Sequence, residues 1–334
     1  MSVKVLEKID EKILRKVIVN CESEGISLLK NVDLSLNSSI RIGGIVKNVI
    51  QPRNLNELVK ISTILSQYGL SNSHIFMYGG LTKLVVSNEI HELAITTDKL
   101  CYIKWIAEDC AIVGAGTNIA SLLNCTIQKS LSGAEPLAGI PGTLGGAIYM
   151  NAGTKLGSIS QIVKNVRVID LESSHILTLE KSDCKFNYRS SIFQKFPQLI
   201  IVEATLKFKH GDRDLIKKMI INNTTYRKNV QPLEYPNIGC IFLNPTCNLT
   251  AGELLELCKL KGKKIGDLEV SSKHSNFIIN KGKSSFNDFI KLAYIMKKEV
   301  YNNFQISLRP EFNIVLSKSL YDKLKEIIYF LYDK

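Results

Sequence analysis

The stretch SGAEPLAGIPGTLGGAIYMNAGTKLG, residues 132–157, decides the reading of this chain. It places seven glycines and two prolines in 26 residues. Glycine lets a backbone adopt positive φ and lets a ligand approach closely. Consecutive backbone N–H groups in such turns form anion-binding concavities. A second candidate, Gly79-Gly80, sits between the strand-like runs HIFMY and KLVV. Neither segment contains G-x-x-x-x-G-K-[ST], and Gly114-Ala115-Gly116 lacks the third glycine of a dinucleotide fingerprint. On its residues alone, Gly79-Gly80 reads equally well as a tight turn. Residues 139–153 hold more glycine than turns require.

Outward from this stretch, strands and helices alternate in a mixed α/β or α+β pattern. Val5, Ile9, Ile13 and Val17 recur at helical spacing, so residues 1–30 are expected to form one or two helices. Residues 40–52, IRIGGIVKNVIQP, read as strand, Gly-Gly turn and strand. Residues 54–69 read as a helix capped by Asn54, with Glu57 three residues on. Short strands are expected over 93–116, a helix over 117–130, strands over 163–179 and 198–209, and a helix over 212–228. QPLEYPN then marks a boundary loop near residue 231. Helices over 250–262 and 285–303, a strand over 274–280 and an amphipathic helix over 318–333 follow. No repeat or low-complexity tract interrupts this order.

With 334 residues, a prior of ~150 per domain gives about two domains. Hydrophobic residues at 45% and charged residues at 22% exclude a mainly disordered chain. No run approaches the ~18 apolar residues of a membrane helix. The net charge of +12 is spread over single lysines and pairs such as Lys217-Lys218 and Lys263-Lys264. That diffuse field suits a nucleotide or sugar diphosphate at least as well as DNA. The eight cysteines form no C-x-x-C pair, and the five histidines show no metal spacing, so neither a disulfide framework nor a metal site is expected. The charged start of the chain argues against a signal or transit peptide, so a cytoplasmic location is expected.

The glycine-rich stretch resembles the signature of the UDP-N-acetylenolpyruvoylglucosamine reductases, and further motifs follow in order. SIRIGG, residues 39–44, is similar to the family's early strand and turn. Tyr188-Arg189-Ser190-Ser191-Ile192-Phe193 is similar to its Y-R-x-S-x-F, and Gly239-Cys240-Ile241-Phe242 with Asn244-Pro245 to its G-S-x-F-x-N-P. The run AGELLELCKLKGKKIGDLEVSSKHSNFIIN and the terminal Leu308 to Glu311 complete the series. The resemblance implies an α+β fold. A two-lobed FAD-binding region of the PCMH or vanillyl-alcohol-oxidase type would span 1–210, with lobes of about 1–97 and 98–210. A smaller α+β substrate domain would span 211–334. The short gap between Arg189 and Cys240 resembles the family's compact second type. Non-covalent FAD, NADPH as co-substrate, a nucleotide-sugar substrate and a monomer without nucleic-acid or membrane partners are likewise implied.

By the same resemblance, Arg189, Cys240 and Glu311 are the expected catalytic residues. Reduction of an enolpyruvyl double bond builds negative charge conjugated with a carboxylate, which a fixed arginine fork stabilises. Cys240 stands where the family commonly has serine, the inferred proton donor; a thiol of ordinary pKa ~8.5 is mostly protonated at neutral pH. Outside this motif, Arg189 reads as a surface ion-pair arginine and Cys240 as a small buried residue. FAD contacts are expected from Gly79, Gly80, Leu81, Thr82, Gly139, Ile140, Pro141, Gly142, Thr143, Gly145, Gly146, Asn151 and Gly153. Substrate contacts are expected from Tyr188, Asn244, Lys273, His274 and Asn276. His274 reads equally as a structural histidine.

Two departures stand out. Against the family's G-G-G-S-N loop, Tyr78-Gly79-Gly80-Leu81-Thr82 is read with Leu81 at the serine, backbone N–H groups on the FAD diphosphate and one hydroxyl from Thr82, which predicts weaker FAD retention by ~1 kcal/mol per lost hydrogen bond. Leu243 stands where a polar residue is common. The competing readings are an alcohol or sugar oxidase of the same fold, a non-catalytic nucleotide binder that lost FAD, and a nucleic-acid binder.

Overall fold

The computed structural model describes residues 2–332. Asn54 accepts from the backbone of Glu57 and starts the helix Leu55–Gln67, whose Leu58, Ile61, Ile64 and Leu65 fall on one buried stripe. This helix and Glu11–Ser23 share one core with Ile50, Leu93 and Ile95. Those residues belong to a four-stranded sheet ordered Ser27–Asp33, Ile45–Gln51, His91–Thr96, Phe76–Tyr78. The first pair is antiparallel and the other two are parallel. The step from Ile45–Gln51 through the helix to Phe76–Tyr78 carries the chain directly into Gly79-Gly80.

The second lobe is a five-stranded antiparallel sheet ordered Ile176–Glu180, Val163–Asp170, Leu199–Lys207, Cys110–Gly114, Ile103–Ala107. Its apolar face packs against the helices Ile119–Gln128 and Leu144–Met150 in a single core. The glycine-rich stretch runs across this lobe. The third unit is a four-stranded antiparallel sheet, Asn237–Cys240, Phe277–Asn280, Leu268–Val270, Lys264–Ile265. The helices Ala251–Leu257 and Phe286–Phe304 contribute to its core, and Lys318–Tyr332 packs on the second of them.

One small sheet ties these parts together. Asn313–Ser317 lies between Val3–Leu6 and Leu84–Val86, parallel to both. The chain therefore returns from the third unit to pair with the strand that follows the Gly79-Gly80 loop. The helix Arg213–Val230 lies past the expected boundary at 210, yet it packs against Ile119–Gln128 and the turn Glu135–Leu137 of the second lobe.

Two local expectations are corrected. Residues 1–30 hold strands at Val3–Leu6 and Ser27–Asp33 around a single helix. Ser27–Asp33 is an edge strand with no fully buried residue, so it lacks the alternation that marks a half-buried strand. Residues 40–44 are a loop, because Gly43 and Gly44 press against backbone: a Cβ on Gly44 would lie 1.9 Å from the Glu89 carbonyl oxygen.

Candidate active site

A cavity of about 470 Å³ lies where the three units meet. Its floor is made by two glycine loops in contact. A Cβ on Gly80 would sit 3.0 Å from the Gly142 Cα, and one on Gly79 would sit 2.7 Å from Thr143 Oγ1. Only glycine lets these backbones approach so closely. Leu81, Thr82, Ile140, Pro141, Gly145, Gly146 and Gly153 also line the cavity.

Leu81 adopts a φ of +48° and is buried in the apolar cluster that also holds Leu6 and Val86. That conformation suits glycine. Leu81 therefore occupies the place of the third glycine in G-G-G-S-N, Thr82 that of the serine and Lys83 that of the asparagine. This corrects the reading of Leu81 as a lost hydroxyl: Thr82 supplies a hydroxyl at the cavity wall. The expected weakening of FAD retention loses its basis.

The opposite wall brings together residues distant in sequence. Arg189 follows the turn at Tyr188 in a left-handed conformation, φ +49°. Its Nε donates to Glu311 Oε1 at 3.1 Å and its Nη2 to the Gly153 carbonyl at 2.6 Å. Its Nη1 has only a long contact, 3.5 Å, to the Asn151 carbonyl. Glu311 is fixed by its own N–H, which donates to the Ile241 carbonyl at 2.7 Å, and by the Phe242–Pro310 bridge beside it. Cys240 ends the strand Asn237–Cys240 next to Gly239, φ +77°. Burial pushes the Cys240 thiol up to about 11, with the Glu311 charge acting the same way and Lys83, Arg189 and Arg227 opposing. Burial, and then Glu311, also hold the Tyr188 phenol above its ordinary value.

Several expected residues stand elsewhere. Asn276 is 2% exposed; its amide bonds both the N–H and the carbonyl of Phe242, so it braces the Cys240 segment from behind. His274 packs on Phe277 and accepts from the Asn276 N–H. Lys273 donates to the Lys228 carbonyl at 2.7 Å. None of these three lines the cavity. Gly139 and Asn151 stand behind the wall: Gly139 makes room for the Arg227 side chain, and Asn151 caps the helix Leu144–Met150 in a left-handed conformation. Tyr188 and Asn244 line the cavity, and the Asn244 Oδ1 accepts from the Ala251 N–H. Leu243 is buried, with its N–H bonded to the Arg309 carbonyl, and does not reach the cavity. Sequence reasoning missed Lys83 and Arg227. Register with the G-G-G-S-N pattern singles out Lys83, and Arg227 lies four residues before Gln231-Pro232.

Residues 231–315 match the model of the UDP-N-acetylenolpyruvoylglucosamine reductase C-terminal domain, and residues 46–180 match an FAD binding domain. The UDP-N-acetylenolpyruvoylglucosamine reductase of Anoxybacillus flavithermus is 32% identical over 317 residues, covering 93% of this chain and 99% of the relative. This chain belongs to the UDP-N-acetylenolpyruvoylglucosamine reductase family. The reductase of Caldanaerobacter subterraneus is 36% identical over 87% of this chain and 94% of its own length. The crystal structure of UDP-N-acetylenolpyruvylglucosamine reductase from Thermus caldophilus superposes with a TM-score of 0.71 at 25% identity, covering 87% of this chain and 99% of that one. The α+β fold, the FAD-binding region and the C-terminal reductase domain accord with this membership.

FAD is the cofactor of this family fold, and the cavity fits it. Three polar atoms at its wall are buried without a protein partner: Ser39 Oγ, Arg227 Nε and Gln231 Oε1. A buried polar group left unpaired is costly, so their convergence on one cavity calls for a polar ligand. Among the described residues no cluster of His, Cys, Asp and Glu can hold a metal, and no helix is long and apolar enough to cross a membrane.

Proposed function

We propose that this protein reduces UDP-N-acetylglucosamine enolpyruvate to UDP-N-acetylmuramate, with NADPH as reductant, as a cytoplasmic monomer in peptidoglycan precursor synthesis. The observation that carries this reading is the convergence of Arg189, Cys240 and Glu311 on one wall, facing a floor of two glycine loops. We assign FAD to the cavity with Gly79, Gly80, Thr82, Gly142, Thr143, Gly145 and Gly146 against it, and substrate to the side of Tyr188 and Asn244. The division of labour follows the fold: the first two lobes hold FAD, and the unit after Gln231 presents substrate.

When bound, FAD supplies hydride to the methylene carbon of the enolpyruvyl group. The chain's own residues manage the charge and the proton. Arg189 Nη1, weakly engaged by protein, is the donor available to the substrate carboxylate. As negative charge spreads from the double bond into that carboxylate, the guanidinium stabilises it without reorganising. Cys240 Sγ carries the proton for the carbon beside the carboxylate; burial keeps the thiol protonated at neutral pH. The resulting thiolate faces Arg189, Arg227 and Lys83, and solvent returns its proton. Glu311 holds the Arg189 fork in place through Nε.

The test is an anaerobic pair of half-reactions on FAD-loaded protein. NADPH should bleach the flavin band, and UDP-N-acetylglucosamine enolpyruvate should restore it. Restoration by unsubstituted UDP-N-acetylglucosamine, or none by the enolpyruvyl substrate, would overturn the proposal.

A further inference from the structure

We infer that Lys83 is a positioning residue of this reduction, coupling the glycine loop on the flavin side to both Cys240 and Glu311. The inference rests on the proposed roles of those two residues. Its geometry is independent of them. Lys83 Nζ donates to the Cys240 carbonyl at 2.7 Å. The same ammonium lies 3.4 Å from Glu311 Oε1, the oxygen that Arg189 Nε binds at 3.1 Å. One carboxylate oxygen is thus shared by a cation from the first lobe and a cation from the second. The Lys83 side chain is 22% exposed, so solvent screens it only in part.

The surroundings are shaped for this contact. A Cβ on Gly239 would stand 3.3 Å from Lys83 Nζ, so a side chain there would crowd the ammonium. The Lys83 carbonyl accepts from Asn313 N–H at 2.8 Å, at the start of the parallel pairing of Leu84–Val86 with Asn313–Ser317. A second path joins the same two regions: Ser39 N–H donates to the Leu81 carbonyl, and Asn237 N–H to the Ser39 carbonyl. The loop that floors the cavity and the strand that carries Cys240 are therefore held in register by backbone, and Lys83 adds the charged link.

The consequence follows from ordinary electrostatics. With Lys83 present, Glu311 draws on two cations and leaves Arg189 more of its fork for substrate. Without it, Glu311 is paired through Arg189 with Arg227 acting at longer range, and the Cys240 carbonyl loses the Lys83 ammonium. The charged and titratable groups facing Cys240 are Lys83, Arg189, Arg227, Glu311 and Tyr188. Removing one of the three cations leaves the thiol less ready to ionise.

The experiment compares Lys83→Met and Lys83→Arg with the unaltered protein. In the half-reactions, Lys83→Met should slow flavin reoxidation by the enolpyruvyl substrate about 10-fold or more, while reduction by NADPH changes less than about 2-fold. Lys83→Arg should recover most of the loss. A second readout needs no turnover: alkylation of Cys240 by iodoacetamide, followed by peptide mass at fixed pH without flavin. Lys83→Met should slow it several-fold, with the exposed Cys101 and Cys247 as unchanged internal references. Reoxidation at the unaltered rate, equal slowing of both half-reactions, or unchanged Cys240 alkylation would each sink the inference. If the unaltered protein does not reoxidise with this substrate, the functional reading fails, and alkylation still judges the contact. Should Lys83→Met fail to fold, Lys83→Asn carries the same measurements.

Discussion

Arg189 Nε donates to Glu311 Oε1 at 3.1 Å, joining residues 122 positions apart. The two side chains are 22% and 10% exposed, and the arginine backbone sits at a φ of +49°. A left-handed non-glycine residue costs about 1–2 kcal/mol, which the surroundings must offset. Here the offset comes from Glu311 and from the Gly153 carbonyl, 2.6 Å from Nη2. The arginine is held strained and aimed at the cavity, and that orientation is what the chemistry requires.

Replacing Arg189 by Ala removes the charge but keeps the strained backbone. Flavin reoxidation by the enolpyruvyl substrate should slow about 10²-fold or more. Reduction by NADPH should stay near its original rate. Stopped-flow measurement of the two half-reactions separates these outcomes, and equal slowing of both would remove Arg189 from the charge-stabilising role.

Cys240→Ser should retain appreciable activity, whereas Cys240→Ala should lose the protonation step. The pH dependence gives an independent check. The reaction uses the protonated thiol, whose pKa in the fold is about 11, so the Cys240 contribution to the rate falls as pH rises toward that value. In Cys240→Ser that alkaline fall should vanish, because an alcohol does not ionise there. Reoxidation rates followed from pH 9 to pH 11.5, a range that spans that value, decide it.

Gly80→Ala should weaken flavin binding by about 10-fold or more. The added methyl would stand 3.0 Å from the Gly142 Cα, where backbone on both sides must move. Titration followed by flavin fluorescence reads this directly; an unchanged dissociation constant would show that the loop contact does not shape the site.

Asn276→Ala separates support from substrate contact. Its amide satisfies both the N–H and the carbonyl of Phe242, at 2.9 and 2.8 Å, within the core. Losing them should lower stability by about 2–4 kcal/mol in urea unfolding. The substrate concentration needed for half-maximal reoxidation should change little. A large rise in that concentration with unaltered stability would return Asn276 to the binding site.

Much of this site was legible because its chemistry is written in short motifs. Gly79, Gly80, Gly142, Arg189, Cys240 and Glu311 were each visible in the sequence, and all six line the cavity. Their neighbours were less legible. Lys273, His274 and Asn276 share a motif with the substrate side, but the strand Phe277–Asn280 that follows turns them toward Lys228, Phe277 and Phe242. Leu81 was misread because motif letters suggested a missing hydroxyl, whereas only φ shows that the position is a glycine site. Val3–Leu6 was read as helix because Val5, Ile9, Ile13 and Val17 fit a helical period. Its strand character comes from pairing with Ile314–Ser317, about which local periodicity carries no information.

That pairing also orders events during synthesis. Leu84–Val86, which leads out of the flavin loop, leaves the ribosome early, but the strand that completes its sheet is Asn313–Ser317. Val3–Leu6 waits for the same late strand. A nascent chain missing its last few dozen residues holds two unpaired edges beside an open glycine loop. Such edges invite association with other chains. The cofactor pocket is therefore among the last parts of this molecule to close, and arrested translation products should be captured by chaperones with that loop still open.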